Sequence, residues 1–257
     1  MSSNAIHNRK ISDLIADRIE GMILEGSLEP KQKLPPEREL STQFEVSRPS
    51  VREAMQKLEA KGLVTRRQGG GTFVSADFGS SFVDPLVSLF RSHPEFNYDL
   101  LEYRHTLEAA AAYYATARAT ETDHQLIEER YQQWLKGHEQ EVGVEAEAEL
   151  DWRFHLSIAE SAHNAVLLHS MRSLFNLFKK TTATNLNFLT NKKGECQEVI
   201  RAQHEKLQNA VIARDEESAR KAVNEHLAYV EETLQKGSRF ETNAQRSLRR
   251  LYLKRNE

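Results

Sequence analysis

Asp151 and His155 stand one helical turn apart in "ELDWRFHLSIAESAHN", with Ile158 on the same face. Residues at i and i+4 share a helix face, so a carboxylate and an imidazole would be held side by side. His204 sits in "VIRAQHEKLQNAVIA" on a face with Ile200, Leu207 and Val211. His226 sits in "ARKAVNEHLAYVEETL" with Val223, Leu227 and Val230. A single histidine on an apolar stripe is ordinarily a core residue whose ring nitrogens find partners. Three of them, with an aspartate one turn from the first, are also a competent ligand set for a borderline divalent ion such as Zn²⁺ or Ni²⁺. Facing helices of a bundle host such sites, and spacing alone leaves both readings open. Arg104, in "DLLEYRHTLEAAAAYYA", raises a related question, because Leu100, Leu101, Leu107, Ala111 and Tyr114 commit its helix to a core. A buried guanidinium needs an anionic partner. Glu108 at i+4 is one candidate, and a ligand carboxylate gripped by two hydrogen bonds is the other.

"RRQGGGTFV" (66–74) offers a different chemistry. A Walker-type phosphate loop needs Gly-Lys-Ser/Thr and then a helix, but a β-branched and aromatic run follows Gly71. The dinucleotide fingerprint fails too, for want of its last glycine. The segment reads as a hairpin whose glycines permit backbone approach to a sugar-phosphate edge, while Arg66 and Arg67 supply charge. It directly follows "PERELSTQFEVSRPSVREAMQKLEAKG", which has the grammar of two helices joined by a tight turn. Leu40 and Phe44 bury one helix; Val51, Ala54, Met55 and Leu58 bury the next at i, i+3, i+4, i+7. Arg48, Arg52 and Gln56 are left on an outward strip. Two arginines at i and i+4 suit the major groove, where guanine offers O6 and N7, at ~1–3 kcal/mol of discrimination per good pair. Arg38, Ser47 and Ser50 are placed to meet phosphate. The plainer alternative for Arg48 and Arg52 is a solvated face paired with Glu45 or Glu53.

The elements that must position these groups are mostly helical. A first helix fits 11–24, with Leu14, Ile15, Ile19, Ile23 and Leu24 as its stripe. "EGSLEPKQKLPP" breaks the pattern. A second helix fits 37–44 behind Pro36, and a third fits 47–61, N-capped by Ser47 and stopped by Gly62. Strands are expected at 63–66 and 72–75. The small, aperiodic "SADFGSSFVD" reads as a linker. Helical spacing then covers 85–92, 97–118, 122–138, 144–162, 164–189, 195–213, 215–236 and a tail near 240–254. The chain is therefore expected to be mainly α: a winged helix-turn-helix over 1–76, a linker over 77–84, an all-α bundle over 85–238 and a basic tail over 239–257. That tail carries Arg246, Arg249, Arg250, Lys254 and Arg255, which read as a solvated face or as a DNA or partner contact.

"LPPERELSTQFEVSRPSVREAMQKLEAKGLVTRRQGGGTFV" resembles the winged-helix domain of GntR-family transcription regulators. The elements that carry the resemblance are P-x-E-R-E-L, S-R-x-x-V-R-E-A and L-x-x-x-G-L. In that family the residues matching Arg38, Arg48, Arg52 and the wing glycine Gly69 contact DNA. The bundle resembles the ligand-binding domain of the FCD branch. It has E-x-R-x-x-L-E-x-x-A-A from Glu102 to Ala112, D-x-x-x-H and A-H-N between Asp151 and Asn164, and matching segments at His204 and His226. The resemblance implies a metal held by Asp151, His155, His204 and His226, and an effector carboxylate bound by Arg104. Asn164 stands near the ligand in some members and otherwise caps the next helix. Stretches such as "DPLVSLFRSHPEFNYDLLEYRHTLEAAAAYYA" and "AHNAVLLH" are similar to a pyruvate-responsive regulator of that branch, which implies pyruvate as effector. Lactate, glycolate or another hydroxy acid would satisfy the same groups.

Bulk properties narrow the partners. A net charge of -3 excludes a general polyanion binder, so any nucleic-acid contact must come from a local basic surface. The sole cysteine, Cys196, cannot form an intrachain disulfide, which fits a reducing cytoplasm. No apolar run reaches the roughly 20 residues that span a bilayer, and the polar N-terminus does not read as a signal peptide. The expectation is a homodimeric repressor of a palindromic operator, responsive to a small carboxylate. A metal-dependent hydrolase or lyase built on the bundle is the alternative of another class; against it, Glu160 and Glu205 read as surface groups rather than as an acid or base. A constitutive architectural DNA binder is a third reading.

Overall fold

Three helices and a small sheet close over one core between residues 11 and 74; the computed structural model describes residues 9–67, 70–75, 97–173 and 195–234. Helices α1 (Ile11–Leu24), α2 (Glu37–Gln43) and α3 (Arg48–Ala60) precede strands β1 (Val64–Arg67) and β2 (Gly71–Val74). Ser47 starts α3 because its hydroxyl accepts from the Ser50 backbone N–H (3.3 Å) and meets the Ser50 hydroxyl at 2.8 Å. Gly62 stops it. At φ +72 it lets its own N–H return to Glu59 O (2.9 Å) and the Leu63 N–H return to Leu58 O (3.0 Å), a paired closure that satisfies two orphan carbonyls.

Val51, Ala54, Met55 and Leu58 are buried against Ile15, Ile19, Ile23 and Leu40. The stripe of α1 is narrower than its periodicity suggests. Leu14 and Leu24 are about half exposed, and Ser12 and Ala16 are buried in their place. The reason is register: Ile15, Ile19 and Ile23 form one i, i+4 row, and the two leucines fall on its flanks.

The antiparallel wing pairs Val64 with Val74 and Arg67 with Gly71. Gly69, expected to approach DNA, lies outside the described residues, as do the linker 77–84, the segment 85–92, residues 174–189 and the basic tail. The segment 31–34, which the sequence marks only as a break, hydrogen-bonds along the free edge of β2. Lys31 N donates to Val74 O, Val74 N to Gln32 O and Leu34 N to Thr72 O.

The second core is helical. Helices α4 (Asn97–Arg118), α5 (Glu121–Glu139), α6 (Val144–Ser161), α7 (Ala165–Ser173), α8 (Glu195–Ile212) and α9 (Glu216–Leu234) follow, with α4 against α6 and α9, α5 against α6, and α8 against α9. Thr120 and Asp123 form a reciprocal capping box on α5, and Asn164 Oδ1 accepts from Leu167 N (3.2 Å), so Asn164 caps α7. Trp134, Phe154, Leu207, Val211, Val223 and Leu227 fill the interior. Among the described residues, no helix is long and apolar enough to cross a membrane.

The two cores meet at the end of α1. His169 Nε2 on α7 donates to Leu24 O (3.1 Å). Gly26, at φ +85, lies under the Arg172 guanidinium, where a Cβ would stand 3.0 Å from both terminal nitrogens and from Leu168 Cδ2.

Candidate functional site

Four helices of the bundle bring the sequence's chemical residues to one place. Helix α6 supplies Asp151 and His155, α8 supplies His204, α9 supplies His226, and α4 supplies Arg104 and Glu108. All six side chains are buried. His204 Nε2 is the hub, 3.2 Å from His155 Nε2, 3.4 Å from His226 Nε2 and 3.4 Å from Asp151 Oδ1. His155 Nε2 is 3.8 Å from the same aspartate oxygen. The periodic faces thus converge as their spacing suggests.

The set fits a divalent ion. Ligand atoms of the three histidines lie within 4.8 Å of one another. Two ligands on a tetrahedral Zn²⁺ at ordinary bond lengths stand about 3.4 Å apart, close to the separations found here. A metal needs imidazoles that are neutral. His204 and His226 are both held well below the ordinary imidazole range, by burial first and then by neighbouring positive charge, chiefly His226 and His155 on the former, His155 and Arg104 on the latter. Burial raises Asp151, opposed by His155 and Arg104.

Arg104 is committed to protein carboxylates. Its Nε donates to Glu108 Oε1 (2.5 Å) and its Nη2 stands 3.6 Å from Asp151 Oδ2. Burial works against its charge, and the two acids more than offset this. Glu108 is the partner foreseen at i+4, but its second contact crosses to another helix: His155 Nδ1 lies 2.7 Å from Oε2. That approach is off the line of a full hydrogen bond. Burial pushes the Glu108 carboxyl up, but Arg104 and His155 outweigh it and hold the group far below the usual carboxylate range. Beside these residues lies about 170 Å³ of empty space, lined by Glu108, Ala111, His155, Ile158, Leu207 and Val223. It consists of narrow gaps, none wide enough for a water molecule, rather than an open chamber.

Other partners were not visible in the sequence. Gln203 Oε1 faces His226 Nδ1 at 3.0 Å. The Trp134 ring stands edge-on to His204 with centroids 4.3 Å apart, and stacks on His138, whose Nδ1 meets Glu147 Oε1 at 2.5 Å. Glu160 is not the free surface group the sequence suggests, since its carboxylate holds Arg172 Nη2 at 2.6 Å.

The second candidate face lies on the winged helix. Arg38, Arg48, Arg52, Arg66 and Arg67 are all exposed. Arg52 pairs with neither Glu45 nor Glu53; its Nε donates to Glu37 Oε2 at 3.1 Å, because the start of α2 packs across α3. Arg66 reaches the same Glu37 (3.8 Å) and also Glu59 (3.3 Å). Glu37 therefore brings α2, α3 and the wing onto one cationic side. The Arg67 guanidinium lies over the Phe73 ring, 4.8 Å from its centroid. Ser47 and Ser50 are engaged in capping α3.

Residues 11–74 match the family described as bacterial regulatory proteins, gntR family, and residues 99–229 match the FCD domain. A protein of Escherichia coli (strain K12), whose name assigns it to regulation of the L-lactate dehydrogenase operon, is 35% identical over 232 residues, covering 89% of this chain and 88% of that protein. The HTH-type transcriptional regulator LutR of Bacillus subtilis (strain 168) is 36% identical over 230 residues, covering 87% and 100%. The Glc operon transcriptional activator of Escherichia coli (strain K12) is 32% identical over 228 residues, covering 88% and 89%. A solved structure of Streptococcus agalactiae GntR is similar at a TM-score of 0.52 and 25% identity, over 86% of this chain and 99% of that one. These relatives are regulators rather than enzymes. With a helix-turn-helix and wing in front and a histidine-lined helical bundle behind, the chain belongs to the GntR family of bacterial transcription regulators, in the branch that carries an FCD domain.

Proposed function

We propose that the chain is a cytoplasmic, homodimeric repressor that leaves a palindromic operator when a small 2-oxo or 2-hydroxy acid, pyruvate in the leading case, binds beside a divalent metal in the bundle. The observation that carries this reading is the buried convergence of Arg104 with Asp151, His155, His204 and His226. These four ligands would hold Zn²⁺ or Ni²⁺, and the ion when bound supplies a Lewis-acidic anchor for an effector oxygen. Arg104 would take the effector carboxylate through its fork of N–H groups, giving up part of its hold on Glu108 and Asp151. The tightness of the gaps beside His155 favours an acid of few atoms and requires side chains to move when it enters. That movement has a physical route outward. Glu160 follows His155 on α6 and grips Arg172, which rests on Gly26 at the end of α1. An effector lowers operator affinity only by its differential affinity for the two arrangements.

On DNA, Arg48 and Arg52 would read base edges, and Arg38, Ser47, Ser50, Arg66, Arg67 and Gly69 would meet the backbone or minor groove. Pyruvate, and with it control of pyruvate dehydrogenase complex genes, is suggested by stretches that resemble the repressor of that complex. L-lactate is the second reading, favoured by the operon named for the Escherichia coli relative. A gel shift tests both, using a palindrome of the T-G-G-T/A-C-C-A type suggested by the family resemblance, with metal-loaded protein titrated with pyruvate, L-lactate and glycolate. Release by one acid at lower concentration than the others names the effector. Equal binding to random duplex at moderate salt refutes the operator reading, and binding that no acid disturbs refutes the sensor.

A further inference from the structure

We propose that Glu108 is a positioning residue that fixes which nitrogen of His155 faces the other imidazoles and acts as the internal anion an effector must displace from Arg104. This rests on reading the cluster as a metal-dependent effector site and adds a residue to it.

The first half follows from lone pairs. His155 Nδ1 stands 2.7 Å from Glu108 Oε2, with both side chains buried, although the approach is off the line of a full hydrogen bond. A bare Nδ1 would oppose its lone pair to the carboxylate, so the proton sits there. In the neutral ring this leaves Nε2 bare, directed at His204 Nε2 and Asp151 Oδ1. The other two rings have no comparable support. His226 Nδ1 faces the neutral Gln203 amide, and His204 Nδ1 has no hydrogen-bond partner among the described residues. Of the three rings, His155 alone has a carboxylate at the nitrogen that faces away from the other imidazoles.

The second half follows from the other carboxylate oxygen. Glu108 Oε1 takes the Arg104 Nε, the atom an incoming carboxylate would seek. Glu108 also lines the empty space beside His155. A small acid entering there meets a guanidinium whose Nε is already held by a carboxylate, so Glu108 occupies the place of one oxygen of the ligand. Removing the Glu108 charge must then push two affinities in opposite directions: the cation binds less well and the anion better.

The test uses the full-length protein. In the metal-free wild type at pH 8, ¹⁵N-histidine NMR should show His155, assigned by its loss in His155→Gln, with the proton on Nδ1. In Glu108→Gln that ring should become a mixture of tautomers. Affinity for Zn²⁺ or Ni²⁺, measured by chelator competition, should fall about 10–100-fold. At saturating metal, affinity for pyruvate or L-lactate should rise about tenfold, the order expected when one charge-assisted hydrogen bond is given up. Glu147→Gln is the control. It removes an equal buried charge from α6, but one that faces His138, and should leave the His155 tautomer unchanged. A wild-type His155 protonated on Nε2 alone would overturn the proposal, and so would metal and effector affinities that fall together in Glu108→Gln. The tautomer in the wild type decides the matter even where the variant does not fold. If the wild type binds no divalent ion, the metal reading fails while the NMR result still judges Glu108.

Discussion

Replacing Arg104 with alanine should destabilise the bundle as well as disturb sensing. The side chain is 2% exposed and lies between two buried carboxylates, Glu108 and Asp151. Truncating one partner of a buried ion pair leaves uncompensated charge and costs about 3–5 kcal/mol. At ~2–4 °C per kcal/mol for a domain of this size, the melting midpoint should drop by about 6–20 °C. The assay is built into the chain. Its two tryptophans, Trp134 and Trp152, are both buried in the bundle, so fluorescence-detected urea unfolding reads this domain alone. Arg104→Met/Glu108→Leu should recover much of the loss, since apolar replacements of a buried pair are often near neutral. Arg104→Lys, which keeps the charge but loses the fork, separates the roles: it should fold and bind operator yet respond weakly to the acid. A loss under 1 kcal/mol for Arg104→Ala, with no coupling to Glu108 in the double mutant, would refute the argument, because Arg104 would then be solvated rather than paired.

Four further outcomes are expected. Titration with Ni²⁺ or Co²⁺ should quench Trp134, whose ring stands 4.3 Å from His204, and Trp134→Phe should remove most of the signal change in a fluorimeter. Glu37→Gln should raise affinity for any duplex by at most about fivefold in a filter-binding assay, because Arg52 and Arg66 give up a partly exposed partner worth ~0.2–1 kcal/mol. Gly26→Ala puts an L side chain at φ +85 against Arg172; it should cost about 1–2 kcal/mol and uncouple acid binding from operator release, read by comparing calorimetry with gel shift. His138 is raised above the ordinary imidazole range by its hydrogen bond to Glu147, so its contribution is complete below about pH 6.5 and lost as pH climbs through the raised value. His138→Gln should therefore flatten the difference in urea stability between pH 6 and pH 9, by at most about 1 kcal/mol given partial solvent contact.

What could be read without coordinates was whatever repeats along one helix. The faces of His155, His204 and His226 were visible because each carries aliphatic neighbours at helical spacing, and all of those neighbours are buried. Ser47 and Gly62 were visible because caps are local chemistry. The missing parts are those that depend on how helices register against each other. Glu108 was seen as Arg104's neighbour at i+4, but its contact with His155 spans two helices and leaves no trace in either pattern. Glu37 sits 15 residues before Arg52, farther along the chain than Glu45 and Glu53, and meets it only because α2 packs on α3. The segment 31–34 joins β2 through backbone groups, which carry no sequence signature at all. Each omission involves a charged or backbone group whose partner lies on another element, and partners of that kind decide protonation and ligand competition. The resemblance supplied the proposed metal ligands and Arg104 as separate positions; the acid that ties Arg104 to His155 becomes visible only once α4 is laid against α6.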